Sequence, residues 1–525
     1  MKNTQKEKAA KTERGQAIII IVFAFIGLVA MVGLVTDTGL ALIEYGKLKR
    51  AVDAAAVAGA QEYRPDPLTF DLNTAAVEDA ATGFLQINQM QNIHDVTIHT
   101  CANSGADRPA LCNPDPLGHP ENNRKLVEVS ASIDASFGFM RVLGINGVTL
   151  HASAIGEAAT IDLVLIMDTS ASMAYETGYE DRTNTPPPGA DTPLKSGPDD
   201  DPSACNAADN CEPLRRVKTI ALEFVSSLIL SGYDRVAIIS MTSQTPGSDR
   251  YPTEISPLSF SRNQILNDID DMKVFEPRIC DDTLTEGACI QYVGGGFTGV
   301  NCQIFEMTAG TADANPSSCP SSNVGGVMGL AQEALTGSGG LTQIRPEALW
   351  IVVGLFGGPA NATDATASYP NGFCPANTWL SFSPYFMGPW CRDPYPSVRH
   401  SAGDPLVSYT NPISGETSSV SLYDADDYAR DMADNLAASK TNTGVTIYTI
   451  GLGVQIQNAA KDGAGNLLAS EPPPAENLLE YIATEAGDSL NPNVNHGQYF
   501  FAQNSTSLGN IFELIAQNIA TKISQ

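Results

Sequence analysis

The sequence has few basic residues and little that points to catalysis. Lysine and arginine together number 30, against 59 aspartate and glutamate residues, which gives a net charge of −29 at pH 7. A chain this acidic repels the phosphate backbone of nucleic acids, so we expect no nucleic-acid partner. The chain also lacks a GxSxG elbow, an HExxH zinc motif and a phosphate-binding P-loop. We therefore predict that the protein is not an enzyme.

Zinc-type cysteine spacing is absent too, although the chain has 10 cysteines. None of them forms a CxxC motif, and no histidine lies at a zinc-ligand spacing. The cysteines fall as near neighbours along the chain, which predicts local disulfides in an oxidising compartment. Spacing alone does not fix the connectivity, and free thiols in a cytosolic protein are the alternative. The neighbouring pairs are Cys101 and Cys112, Cys205 and Cys211, Cys280 and Cys289, Cys302 and Cys319, and Cys374 and Cys391.

A stretch without charged residues, 17–36, follows a short basic tail of residues 1–14. Twenty residues of α-helix extend about 30 Å, which is enough to cross the hydrocarbon core of a membrane. The basic tail favours the cytoplasm, so everything after Asp37 is expected outside the membrane or at the cell surface. The apolar run is long for a cleaved signal peptide and no small-x-small site closes it, so we expect the chain to stay anchored as a single-pass membrane protein.

The helical pattern continues past the apolar stretch, because residues 37–62 contain no proline and are rich in alanine. We predict one helix over residues 15–63, about 70 Å long, that crosses the membrane and continues as a stalk. It serves either as a simple anchor or, because small residues allow close approach, as a helix that packs with other copies or partners.

This segment resembles a known family. The opening RGQA, the apolar span, Asp37-x-Gly39 and the DAAAVAGA run of Asp53–Ala60 are similar to the N-terminus of TadE/TadG-like proteins. Those proteins assemble Flp (tight-adherence) pili, so the resemblance implies other pilus or envelope proteins as partners. Type IV pilins carry a glutamate five residues after the processed glycine, whereas Ile20 stands at that distance from Gly15. We therefore expect the helix to be retained rather than processed.

Residues 64–160 predict a small α+β region with a pilin-like outline, in which a long N-terminal helix precedes a small sheet. Period-two alternation indicates strands at 96–100, 125–133 and 148–155, and helical spacing indicates helices at 74–89 and 136–143.

The stretch IDLVLIMDTSASM, Ile161–Met173, organises the rest of the chain. Its apolar run is typical of a strand buried on both faces, and it ends in the pattern Asp168-x-Ser170-x-Ser172. Strand and pattern together resemble the first segment of the metal-ion-dependent adhesion site of von Willebrand factor A domains.

Strands and helices alternate from residue 161 onward, which favours a doubly wound, mostly parallel α/β sheet over residues 161–525. Four insertions rich in turn-forming residues interrupt this domain near 174–212, 276–320, 357–420 and 455–474. The first three contain eight of the cysteines, and local disulfides would offset the cost of ordering such long loops.

A carboxylate and hydroxyls at Asp168, Ser170 and Ser172 offer oxygen ligands of the kind that Mg²⁺ or Ca²⁺ prefers. The resemblance implies that Ser322, which stands where the family has a threonine, is a further ligand. The family's later aspartate has no counterpart, because Gly357 occupies its place, and Asp364 is the nearest acidic replacement. A divalent cation at this site is therefore one hypothesis, and a vestigial loop whose hydroxyls bond neighbouring backbone is the other.

Two functional hypotheses follow. The first is a membrane-anchored protein of Flp pilus assembly or surface adhesion that binds protein partners through its A domain. The alternative is a pilin-like structural, minor or tip subunit of a filament, in which the long helix self-associates and the metal site is vestigial.

Overall fold

The chain folds into two units in the computed structural model. The small unit consists of the described residues within Met1–Tyr63, Asn73–Gly118 and Asn123–Ala158, and the large unit of those within Arg64–Leu72, His119–Asn122 and Ala159–Gln525. The structure describes residues 14–66, 69–87, 92–112, 124–174, 202–247, 251–276, 289–293, 296–300, 321–337, 344–364, 395, 397–410, 417–460 and 467–523.

The small unit is built on one long helix. Helix α1 (Arg14–Gln61) has 48 residues, and α2 (Thr74–Ile87) packs against it. Three antiparallel strands, β1 (Ile93–Thr100), β2 (Lys125–Ser136) and β3 (Gly147–Ala158), form a sheet in the order β1-β2-β3. The long helix and the small α+β region that the sequence predicts are thus confirmed.

The far half of α1 supplies the core of this unit. Leu48, Val52 and Ala55 are fully buried. Small residues make the packing close, because a Cβ atom on Gly156 of β3 would collide with the backbone of Ala56. The alanine-rich sequence of this part of α1 therefore serves contact with the sheet.

The connection between β2 and β3 differs from the prediction of a short helix at 136–143. Strand β2 continues to Ser136, and only a single 3₁₀ turn, Met140–Leu143, follows. The carboxylate of Asp37 on α1 is 1% exposed and accepts hydrogen bonds from three successive backbone N–H groups there. Gly138 donates to Oδ1 at 3.0 Å, and Phe139 and Met140 donate to Oδ2 at 3.0 and 2.6 Å. The Asp37 carboxylate thus satisfies the backbone N–H groups at the start of this turn, where a helix has no partners of its own to offer.

The large unit contains a six-stranded sheet, which confirms the doubly wound prediction. Its strands are β4 (Ile161–Met167), β5 (Arg235–Ser240), β6 (Thr253–Ser259), β9 (Leu349–Phe356), β12 (Thr446–Leu452) and β13 (Tyr499–Ala502), in the order β13-β12-β9-β4-β5-β6. All neighbours are parallel except β5 and β6. The first strand of the domain therefore lies at the centre, where its apolar run is covered on both faces.

Helices cover both faces of this sheet. One layer contains α4 (Leu214–Leu228), α5 (Arg262–Asp270) and α9 (Ser505–Ile523), and packs on Leu163 and Leu165 of β4. The other contains α6 (Val324–Thr336), α7 (Ala425–Ala438) and α8 (Pro474–Thr484), and packs on Val164 and Ile166. Alternate residues of one strand thus feed two separate cores, as a central parallel strand requires.

The inserted segments also contain helices and strands. They contain α3 (Pro202–Ala208), the hairpin β7 (Cys289–Val293) and β8 (Gly296–Val300), and the hairpin β10 (Val407–Thr410) and β11 (Thr417–Val420).

Two of the predicted disulfides are present. Cys101 pairs with Cys112 in the small unit and Cys205 with Cys211 in the large unit, with Cα separations of 5.3 and 4.8 Å. The side chains of the other six cysteines, Cys280, Cys289, Cys302, Cys319, Cys374 and Cys391, lie outside the described residues.

Candidate functional site

Asp168 lies where β4 leaves the carboxyl end of the sheet, at the position predicted from the sequence. Its backbone N–H donates to the Leu355 carbonyl of β9 at 3.1 Å, which extends the strand pairing by one residue. Its side chain is 1% exposed, and each oxygen accepts one backbone hydrogen bond. Ser170 N–H donates to Oδ1 at 2.8 Å and Gly357 N–H donates to Oδ2 at 2.7 Å. The carboxylate is therefore fixed by two loops of the sheet edge.

Ser170 and Ser172 lie on the short turn that follows Asp168. Their hydroxyl oxygens are 2.8 Å apart and share a hydrogen bond. The turn becomes a 3₁₀ helix at Ala171–Ala174. The structure thus brings the first three predicted ligands into one cluster of oxygens.

A buried hydroxyl network that the sequence analysis missed supports this turn. The Thr169 hydroxyl lies 2.7 Å from the hydroxyls of both Ser240 and Thr242, and all three side chains are fully buried. Ser240 and Thr242 come at and just after the end of β5, the strand beside β4. Hydroxyl residues directly after an apolar strand were the available signal for this network.

Ser322 lies on the segment before α6 and is tied to the loop that follows β9. Ser322 N–H donates to Asn361 Oδ1 at 2.6 Å, and Asn361 N–H donates to the Ser322 carbonyl at 3.1 Å. The same loop begins at Gly357, which binds Asp168. One loop, 357–364, therefore joins the segment of Asp168 to the segment of Ser322.

Gly357 occupies the place that the resemblance assigns to an aspartate, and the geometry of the backbone shows what that position faces. A Cβ atom on Gly357 would lie 3.1 Å from Asp168 Oδ2 and 3.3 Å from Ser172 Oγ. Among the described residues, a Cβ atom on the next residue, Gly358, would meet only Gln455 Oε1, at 3.9 Å. Position 357 thus points into the oxygen cluster and position 358 does not.

Asp364 has other partners. Asn323 Nδ2 donates to its Oδ1 at 2.7 Å, and the Tyr428 hydroxyl donates to its Oδ2 at 2.9 Å. Asn323 caps α6 by accepting the Gly326 N–H, so Asp364 orients a helix cap. Both carboxylate oxygens of Asp364 are thus engaged in fixing α6 and α7 behind the site.

Burial dominates the electrostatics of Asp168. It raises the pKa of this carboxyl, and hydrogen bonds from Ser170 and Gly357 offset part of that rise. No ion pair reaches Asp168 from the part of the chain that the structure describes. A nearby cation would therefore stabilise the ionised form of this side chain.

A second acidic cluster, Asp424, Asp426 and Asp427, has a structural explanation. Asp424 caps α7 and forms a capping box with Asp427. Burial raises the pKa of Asp427 to about 7. Asp424 and Asp427 each accept a backbone N–H from the other's residue, so these carboxylates stabilise the start of α7.

The oxygens gathered near Asp168 suit a divalent cation in kind, since carboxylate and hydroxyl groups are hard ligands. Only one of these side chains is a carboxylate, so this cluster of described residues supplies a single negative charge. The large unit is thus a doubly wound α/β domain in which the oxygens of Asp168, Ser170 and Ser172 meet at the carboxyl end of the sheet, beside Gly357.

Comparison with known proteins gives a family match for the first helix. Residues 15–62 match the family model of "Flp pilus-assembly TadE/G-like" proteins. No curated protein matches the chain.

The fold is similar to several solved structures. One is the PilB minor pilin from Streptococcus sanguinis, at 12% identity over 82% of this chain and 79% of that one, with a TM-score of 0.34. Another is the vWF domain of the type V pili tip protein Mfa5 from Porphyromonas gingivalis, at 13% identity over 70% and 97%, with a TM-score of 0.32. A third is proximal thread matrix protein 1 from the mussel byssus with a zinc-occupied metal-ion-dependent adhesion site, at 11% identity over 69% and 46%, with a TM-score of 0.27. All three TM-scores are low, so these structures do not define the function of this chain.

Proposed function

We propose that this is a membrane-anchored, non-catalytic protein of Flp-type pilus assembly or surface adhesion, and that its large unit binds protein partners at the carboxyl end of the sheet. The observation that carries the proposal is the buried Asp168 carboxylate, held by Ser170 and Gly357 beside two hydroxyls, on a chain whose first helix matches a pilus-assembly family. Open α/β sheets bind their ligands at this edge.

The anchor in this proposal is α1. Its segment Ile18–Gln61 is the one helix among the described residues that is long and apolar enough to cross a membrane. The basic tail of residues 1–14 favours a cytoplasmic N-terminus and an extracytoplasmic large unit. The two disulfides suit that compartment.

A divalent cation, Mg²⁺ or Ca²⁺, would be held by Asp168, Ser170, Ser172 and Ser322. A carboxylate of a partner protein would bind this cation as a further ligand. With one protein carboxylate the affinity of the isolated chain for the ion is weak, and the partner strengthens it.

Asp168→Ala tests this proposal in the full-length protein. We expect the variant to lose about tenfold or more in affinity for Mg²⁺ or Ca²⁺, measured by calorimetry in detergent, and to lose adhesion or piliation in cells. Asp488→Ala is the matched control, because Asp488 is exposed and pairs only with His496 among the described residues. Unchanged ion binding and unchanged adhesion in Asp168→Ala would refute the proposed site.

One observation favours the alternative of a pilin-like subunit. Helix α1 packs along a three-stranded sheet and leaves residues 18–29, near its N-terminus, uncovered, which is how a filament subunit presents a helix to its neighbours. Cell fractionation separates the two functions. A subunit is recovered with sheared pili, whereas an assembly or adhesion protein remains with the membrane.

A further inference from the structure

We propose that the connection between β2 and β3 is a second membrane-contact site, which inserts into the lipid bilayer beside the spanning helix. This connection, residues 137–146, is called the apolar turn below. The inference rests on the proposed membrane anchoring by α1 and adds the lipid bilayer as the partner of a surface on the small unit.

The apolar turn lies against the part of α1 that the sequence assigns to the membrane. Gly33 and Asp37, one helical turn apart, are both buried beneath it. A Cβ atom on Gly33 would lie 2.7 Å from Phe139 Cβ, so only glycine admits this contact without a shift. The carboxylate of Asp37 fixes the turn to α1 by accepting hydrogen bonds from the backbone N–H groups of Gly138, Phe139 and Met140.

The length of uncovered helix places the turn in the bilayer. Every residue of α1 from 18 to 29 is exposed, and partial cover by the protein begins at Ala30. From Gly15, the first residue after Arg14, to Val29 the helix rises only about 22 Å, whereas the hydrocarbon core is about 30 Å thick. The helix that fills the remaining thickness of the core must therefore extend to about Thr36. The apolar turn covers one face of α1 at these last residues.

The side chains of the turn suit lipid. Val142 is 87% exposed, Phe139 is 52% exposed, and Ile145 is also exposed. Val148, near the start of β3, is a further exposed apolar residue at the same end of the sheet. Exposed apolar residues grouped at one end of a domain are unfavourable in water and favourable in a bilayer. Arg141, also exposed, has a side chain long enough to reach lipid headgroups.

The backbone N–H groups of the turn are also paired within the protein, as the hydrocarbon core of a membrane requires. Besides the three N–H groups bound by Asp37, the N–H groups of Phe137, Val142, Gly144 and Ile145 donate to carbonyls within the turn, at 3.0 to 3.1 Å. Unpaired backbone N–H groups are costly in hydrocarbon, so loops that enter it need such pairing. A turn facing water would not need it.

Site-directed fluorescence tests the inference. Val142→Cys in the full-length protein is labelled with an environment-sensitive NBD fluorophore and reconstituted into vesicles of phosphatidylethanolamine and phosphatidylglycerol. Val29→Cys, on the uncovered part of α1, is the control for membrane insertion. Val57→Cys, exposed on the same helix about 30 Å beyond Asp37, is the control for the aqueous side.

We expect nitroxide-labelled lipid to quench the label at Val142 to an extent similar to Val29 and several-fold more than at Val57, with iodide showing the reverse order. Quenching at Val29 with free iodide access at Val142 would overturn the inference while leaving the anchor intact. Protection of Val142 from both quenchers would also overturn it, since another protein chain would then cover the turn. Absence of lipid quenching at Val29 would remove the membrane anchor and the inference with it.

Discussion

Strand β4 has an aspartate near each end, and the two carboxylates have different kinds of partner. Asp162, at the amino end, and Asp168, at the carboxyl end, are both 1% exposed. Two arginines, Arg235 and Arg345, form ion pairs with Asp162, and Arg235 reaches its Oδ2 at 2.6 Å. Asp168 receives only backbone N–H groups and the Ser170 hydroxyl from the residues that the structure describes.

The ion pairs of Asp162 stabilise the fold, whereas Asp168 has no such counterion among the described residues and is the candidate ligand for a cation. Arg345 also donates to the carbonyls of Ile161 and Tyr233, so the ion pairs at the amino end fasten several segments together. A buried charge without a counterion costs free energy, and such a cost is retained where function needs the group. At one end of the strand the aspartate therefore has counterions within the fold, and at the other end it is the candidate ligand of the proposed cation.

The largest effect is expected from Asp162→Ala. Removal of this carboxylate leaves two buried guanidinium groups without their counterion, and we expect a loss of about 3–5 kcal/mol in the free energy of unfolding. Urea denaturation of the full-length protein in detergent, followed by tryptophan fluorescence, measures it. The exposed variant Asp488→Ala serves as control and should cost at most about 1 kcal/mol. A loss as small as that in Asp162→Ala would show that the two ends of β4 do not differ.

Gly357→Asp sharpens the comparison by adding a second carboxylate beside Asp168. The new side chain starts 3.1 Å from Asp168 Oδ2, so it should weaken the ion-free protein by like-charge repulsion and raise the affinity for Mg²⁺ or Ca²⁺ about tenfold or more. Calorimetry gives the affinity, and thermal unfolding with and without the ion gives the stability. Gly358→Asp is the matched control, because position 358 faces away from the cluster. Equal affinities in the two variants would place the ion elsewhere.

The smallest effect concerns pH. Because burial raises the pKa of Asp168 above its ordinary value of 3.8, the folded protein keeps this proton to a higher pH than the unfolded chain does. Stability therefore falls as pH rises from about 4 toward the folded-state pKa, and remains lower above it. Asp168→Asn removes this loss, so the variant should gain stability relative to the wild type across that window.

Urea titrations in a chelator at several pH values measure this difference. Asp427, whose pKa is raised to about 7, acts in the same direction in both proteins and cancels when the two are subtracted. A difference that does not change with pH would show that Asp168 ionises in the fold as it does in water. Added Mg²⁺ should restore stability to the wild type and not to Asp168→Asn.

The central strands were predictable because burial on both faces leaves an uninterrupted apolar run, as in Ile161–Met167 and Leu349–Phe356. The edge strands were not. Strand β6 contains Pro257, is half exposed and pairs with bulges, and β13 has only four residues. Edge strands face solvent or a loop on one side, so their sequences retain little apolar periodicity.

The candidate site was predictable only where its residues are close in sequence. Asp168, Ser170 and Ser172 follow one strand and could be recognised together. The roles of Asn361, which ties Ser322 to the loop, and of Asp364, which orients the cap of α6, depend on contacts between segments about 40 residues apart. Whether the cluster binds an ion remains a prediction.

Helix α1 supplies the core of the small unit and is continuous with the segment that we propose as the membrane anchor. Leu48, Val52 and Ala55 belong to that core, and the last strand of the unit ends only at Ala158. In the proposed topology, the unit would complete its fold only after β3 has crossed the membrane, with α1 already anchored in the bilayer. In the proposed topology, proteolytic cleavage of α1 outside the bilayer would separate the membrane anchor from the core of the small unit, so release from the membrane would cost that unit its fold.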